Sequence, residues 1–117
     1  MAVFRLKRGD TRPILEVALK NPDGSPHDLT GSTAWKLHVR LDDSTVFTRD
    51  LVKEGLDTAG VLRYTWVATD WDVGGLPAAA YLVPVRLPME YEVVGGTSRM
   101  TFPNDSYDQL HIVEDVA

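Results

Sequence analysis

The side chains able to do chemistry in this sequence are few and scattered. There are three histidines, His27, His38 and His111, and no cysteine. Thiolate nucleophiles and thiolate metal sites are therefore excluded. A Ser-His-Asp site needs three groups within hydrogen-bond reach of one another. His27 falls in a turn-rich segment, whereas His38 and His111 fall at polar positions of two separate alternating segments. No Gly-x-Ser-x-Gly elbow accompanies them. Three surface histidines are the simpler reading.

Carboxylates cluster twice, at Asp42-Asp43 and at Asp70-Trp71-Asp72. Glycoside hydrolysis needs two carboxylates flanking a sugar cleft. Calcium needs six or more oxygens, and Asp70-x-Asp72 supplies at most two side-chain ligands locally. Aspartates that bond to their own backbone in turns explain both pairs without a ligand. Arg8-Gly9-Asp10 is an adhesion-type tripeptide, but so short a motif without context carries little weight. The reading at this level is no enzyme, no catalytic residue, no metal and no cofactor.

These residues must be held by a domain of modest size. The chain has 117 residues, enough for one core, and residues 1–117 are read as a single domain. Seventeen acidic against twelve basic residues give a formal net charge of -5. With no basic stripe visible along the sequence, nucleic-acid binding by phosphate neutralisation is not expected. Charge enters at Arg5, Lys7 and Arg8 before any long apolar run, so no signal peptide is expected. No stretch approaches the ~20 apolar residues that span a bilayer, and no membrane partner is expected.

The hydrophobic pattern is that of strands. From Tyr81 to Val93 every odd position is apolar, with Pro84, Arg86, Pro88, Glu90 and Glu92 among the even ones. A period of two over that length predicts a strand with one buried face. Pro84 and Pro88 both lack an N–H on the same side, which predicts a sheet edge there. Shorter alternating segments cover Val3–Lys7, Ile14–Lys20, Ala34–Leu41, Thr45–Lys53, Val61–Val67, Ser98–Phe102 and Tyr107–Val113. Asn21–Pro26, Gly55–Gly60 and Gly95-Gly96 punctuate them with turn formers. The spacing predicts an all-β, immunoglobulin-like β-sandwich of about seven or eight antiparallel strands.

Trp35, Trp66 and Tyr81 share faces with aliphatic residues and are read as core, together with Phe102. Trp71 stands between two aspartates in Thr69–Ala80, a segment read as an ordered loop or a single helical turn. It is a candidate interface anchor with Leu76, or a sugar-stacking platform. The other reading is that Trp71 packs over one open end of the sandwich.

Four pieces occur in a fixed order. Gly9-Asp10-Thr11 closes the first strand. Asp23-Gly24-Ser25-Pro26-His27-Asp28-Leu29-Thr30-Gly31 precedes the strand with Trp35. Gly60-Val61-Leu62-Arg63-Tyr64-Thr65-Trp66 is followed by Asp70. A long strand from Tyr81 runs to a Gly turn and Thr101-Phe102-Pro103-Asn104-Asp105. The set resembles the N-terminal immunoglobulin-like domain of the baseplate upper protein of tailed bacteriophages, and similar small virion proteins. The resemblance covers nearly the whole chain, with a longer Thr69–Ala80 segment and a longer strand beyond Leu87. It implies a structural virion component of the tail or baseplate, assembled in the bacterial host cytoplasm. It also implies docking on other virion proteins and on copies of itself. A capsid decoration protein and a host-surface carbohydrate-binding module, with Trp71 and Tyr91 as its aromatics, are the alternatives.

Overall fold

The computed structural model describes residues 3–7, 9–12, 14–41, 45–72, 75–76, 85–95, 98–103 and 108–113. The protein is all-β, and nine strands among these residues form two sheets. In chain order they are β1 (Val3–Lys7), β2 (Leu15–Ala18), β3 (Ala34–Arg40), β4 (Val46–Asp50), β5 (Val52–Lys53), β6 (Val61–Tyr64), β7 (Val85–Gly95), β8 (Ser98–Phe102) and β9 (Asp108–Val113). Two single 3-10 turns, Asp57–Ala59 and Ala68–Trp71, flank β6. The larger sheet runs β1-β9-β7-β3-β4, with β8 also on β7, and the smaller runs β2-β6-β5.

Alternation explains the core. Leu87, Met89, Tyr91 and Val93 on β7 turn inward. They meet Leu37 and Val39 of β3, Leu110 and Ile112 of β9, and Leu62 of the smaller sheet, and those five are completely enclosed. Each such side chain contributes roughly 1.5–3 kcal/mol by leaving water. Trp66 and Phe102 are buried, and Trp35 packs half-buried at the margin of the same cluster. Tyr81 lies outside the described residues.

The long strand is not a sheet edge. β7 pairs β3 along one side, and along the other it pairs β9 first and β8 afterwards. The proline argument holds only locally. Leu51 N–H donates to the Trp35 carbonyl, so odd backbone groups of β3 face β4 and even ones face β7. Register matches even residues of β3 with even residues of β7, and its last pair is Val39–Met89. Pro88 therefore lacks its N–H just where the β3 ladder stops, while its other side stays paired opposite Gln109. Pro84 lies outside the described residues.

Two further features depart from the sequence expectation. Residues 45–53 divide at Leu51, which buries its side chain while the chain leaves the larger sheet for the smaller one. β1 pairs β9 in parallel, so the larger sheet is mixed, whereas the smaller is antiparallel. The strand count rises to nine among the described residues because the Thr45–Lys53 segment supplies two.

Candidate functional site

The acidic segment at 70–72 builds a structural knot. The turn Ala68–Trp71 brings Asp70 back over β6, with Asp70 N–H donating to Val67 O. The Asp70 carboxylate is fully buried. Oδ1 accepts Arg49 Nε at 2.9 Å and Tyr64 Oη at 2.9 Å. Oδ2 lies 2.8 Å from the same hydroxyl and accepts Val67 N–H at 2.9 Å. Burial, followed by the hydrogen bond from its hydroxyl to the carboxylate, pushes the Tyr64 phenol well above its ordinary range. Arg49 comes from β4, where it continues the inward parity of Phe47 and lies 4.0 Å from that ring's centroid. An inward charge on an edge strand would be costly without a partner, and Asp70 is that partner.

The loop continues inward. Leu76 N–H donates to Asp70 O, and the Leu76 side chain is 2% exposed. A Cβ at Gly75 would collide with the Asp70 carbonyl oxygen, so the chain passes there only as glycine. Leu76 is thus a core residue of this chain, which corrects its reading as an interface anchor. Trp71 is half-buried against the core and donates Nε1 to Asp10 O at 3.0 Å. That places it over one end of the sandwich, bonded to the adhesion-type tripeptide's aspartate. Asp42, Asp43 and Arg8 lie outside the described residues.

The histidines do not converge. His27 bonds through Nδ1 to Asn21 Oδ1 at 2.9 Å and packs 4.7 Å from the Phe102 ring, steadying the Asn21–Pro26 turn. Gly60 passes so close to this turn that an added Cβ would sit 2.6 Å from His27 O. His38 and His111 share the outer face of the larger sheet. They stand opposite Glu90 and Arg86 of β7, four residues apart, or about 13 Å along the strand. His38 Nδ1 meets Thr48 Oγ1 at 3.1 Å, and its Nε2 meets Glu92 Oε1 at 3.2 Å. This hydroxyl–imidazole–carboxylate chain has the connectivity of a catalytic triad. It lies on an open sheet face among strands whose backbone groups serve the ladders, and Arg99 Nε takes the second Glu92 oxygen at 2.7 Å.

A cleft of about 370 Å³ runs between β2 and the larger sheet, lined by Val17, Leu19, Tyr91, Phe102 and Asp108 among others. Tyr91 donates its hydroxyl to Asp108 Oδ2 at 2.9 Å, and burial pushes its phenol well above the ordinary range. Tyr91 is 2% exposed and offers no stacking surface. Arg49, Tyr64 and Asp108 escaped the reading of the sequence. The available signals were Arg49 at the apolar parity of Phe47 and Leu51, and Asp108 at the parity of Leu110 and Ile112.

Among the described residues, no group of three or more His, Asp or Glu could hold a metal ion. No helix of the described residues is long and apolar enough to cross a membrane. Compared with models of known protein families and with curated proteins, the sequence matches none.

Proposed function

We propose that this chain is a non-enzymatic structural component of a tailed-bacteriophage virion, a tail or baseplate protein that assembles through protein–protein contacts. The immunoglobulin-like character of the fold, the docking on other virion proteins and the self-association belong to this proposal. The observation that carries it is the ordered set of segments resembling the baseplate domain, borne on a two-sheet all-β fold. Two of these segments are also tied to neighbouring loops. Trp71 Nε1 joins the loop after β6 to Asp10, and Leu29 N–H bonds Asp57 O between two others. The Asp23 and Asp28 carboxylates each accept the N–H two residues on, making self-contained turns. Groups with chemical potential, Asp70, Glu92 and Tyr91, are engaged inside the chain. Such a rigid module suits repeated, symmetric contacts.

The glycan-binding reading finds less support, because Tyr91 is closed off and the polar edge of Trp71 is committed to Asp10. The test is protein mass spectrometry on purified particles with head and tail fractions kept apart. Enrichment in the tail fraction is the expected result. Enrichment with heads would make the protein a decoration protein, and absence from both would overturn the virion assignment. With Leu76 buried, Trp71 remains the candidate anchor. Unchanged assembly by Trp71→Ala would move docking away from that loop.

A further inference from the structure

The outer face of the larger sheet carries a row of basic side chains. Register sets Arg5 of β1 beside His111 of β9, and His111 beside Arg86 of β7. Side chains in register point to the same face, and strands lie about 4.8 Å apart, so the row is about 10 Å wide. Lys7 follows Arg5 on that face, at the outer strand of the sheet. An adjoining cleft of about 410 Å³ is lined by Arg5, Lys7, Asp10 and Arg12, extending the basic surface around the β1 edge.

Among the described residues, no carboxylate lies within ion-pair distance of this row. Arg5, Lys7, Arg12 and Arg86 form no ion pair there, although Lys36, Arg49, Lys53, Arg63 and Arg99 each have one. Arg86 donates Nη1 to the neutral Gln109 Oε1 at 3.2 Å. His111 Nδ1 is shut off from solvent with no hydrogen-bond partner among the described residues. Burial disfavours protonation of His111, and Arg86 and Arg5, which flank it from the two neighbouring strands, disfavour it further. A chain with a net charge of -5 has acid to spare, yet none of the described carboxylates pairs with the row.

We propose that this row is a docking site for an acidic segment of a partner protein, with Arg5 and Arg86 each taking a carboxylate on either side of the His111 ring. Charge complementarity identifies the partner. In a polyproline II segment, carboxylates three residues apart share one face and are separated by about 9 Å, close to the width of the row. The same sheet face shows the chemistry within the chain, where His38 and Arg99 hold the Glu92 carboxylate between them. A nucleic-acid duplex fits less well, because its long phosphate array would also meet the surplus negative charge of the rest of the chain.

The experiment is fluorescence anisotropy of the full chain with a labelled peptide bearing aspartate at every third position. A sulfated oligosaccharide and single-stranded DNA are run alongside. The peptide is expected to bind, to weaken with salt, and to lose about tenfold in affinity with Arg5→Gln plus Arg86→Gln. Lys36→Gln, which removes a cation already paired with Asp50, is expected to change binding little. Both sets of changes are on exposed side chains, and matching circular dichroism spectra establish that the variants fold. No peptide binding, or equal binding by the double variant, overturns the proposal. Tighter binding of the oligosaccharide or DNA through the same arginines overturns the ligand class. Sedimentation showing that the double variant abolishes self-association without affecting peptide binding would assign the row to a second copy instead.

Discussion

Two histidines on one sheet face have opposite surroundings. His38 lies between a threonine hydroxyl and the Glu92 carboxylate, and Arg99 completes that group. His111 lies between two arginines with no carboxylate among the described residues to answer them. Burial first, and then Arg86 and Arg5, hold the His111 imidazolium below its ordinary range. The difference comes from strand neighbours. β3, β4 and β7 bring opposite signs together, whereas β1, β9 and β7 bring basic side chains together. Where charge is answered within the chain, as at Glu92 and Asp70, it holds the fold. Where it is left unanswered, it is available to a partner.

The largest expected effect comes from breaking an answered charge. Asp70→Ala leaves Arg49 and Tyr64 without their shared acceptor, and should cost about 3 kcal/mol, read as a lower urea midpoint. Because Arg49 is 37% exposed along its side chain, water recovers part of its loss, which keeps the effect toward the low end. Glu92→Gln removes the charge from the His38–Arg99 clasp and should cost about 1.5 kcal/mol by the same measurement. An equal midpoint for either variant would mean that the answered charges do not hold the fold.

Smaller effects sharpen the contrast. Arg86→Glu places a carboxylate opposite His111, copying the His38 arrangement, and should stabilise by about 0.5 kcal/mol. A loss of stability would show that the row is not internally strained. The smallest effect is the pH dependence. The folded pKa of His111 is held below its ordinary value of 6.5, so folding disfavours its protonation. The His111 contribution is full above about 6.5 and is lost as pH falls through the depressed folded value. Arg5→Gln plus Arg86→Gln should move the His111 NMR titration upward, though not fully, because burial is the first cause of the shift. An unmoved titration would leave burial as the whole cause.

Much of the local structure was legible. The odd-position alternation correctly gave the buried face of β7 over Leu87–Val93, and the turn formers at Asn21–Pro26 mark an observed turn. Trp66 and Phe102 lie on the core side, as their apolar parity suggests. The position of β7 was not legible. Two prolines on one side mimic a sheet edge, but Pro88 sits where the partner strand β3 ends while β9 pairs the opposite side. Leu76 resembled a loop anchor because its neighbours are polar, small or turn-forming. Its burial depends on Asp70, which binds both Arg49 and the Leu76 backbone.

The sequence by itself determined the strand faces, because alternation is a property of adjacent residues and needs no distant partner. It likewise determined the tight turns, whose aspartates bond to their own backbone. Only the tertiary structure decided which charges meet. Arg5, Arg86 and His111 come from strands far apart in sequence, and parallel pairing of β1 with β9 sets the first beside the last. Asp70 and Arg49 meet because β4 and the turn after β6 approach across the core. Charges act through distance in space, and that distance follows from strand order and register.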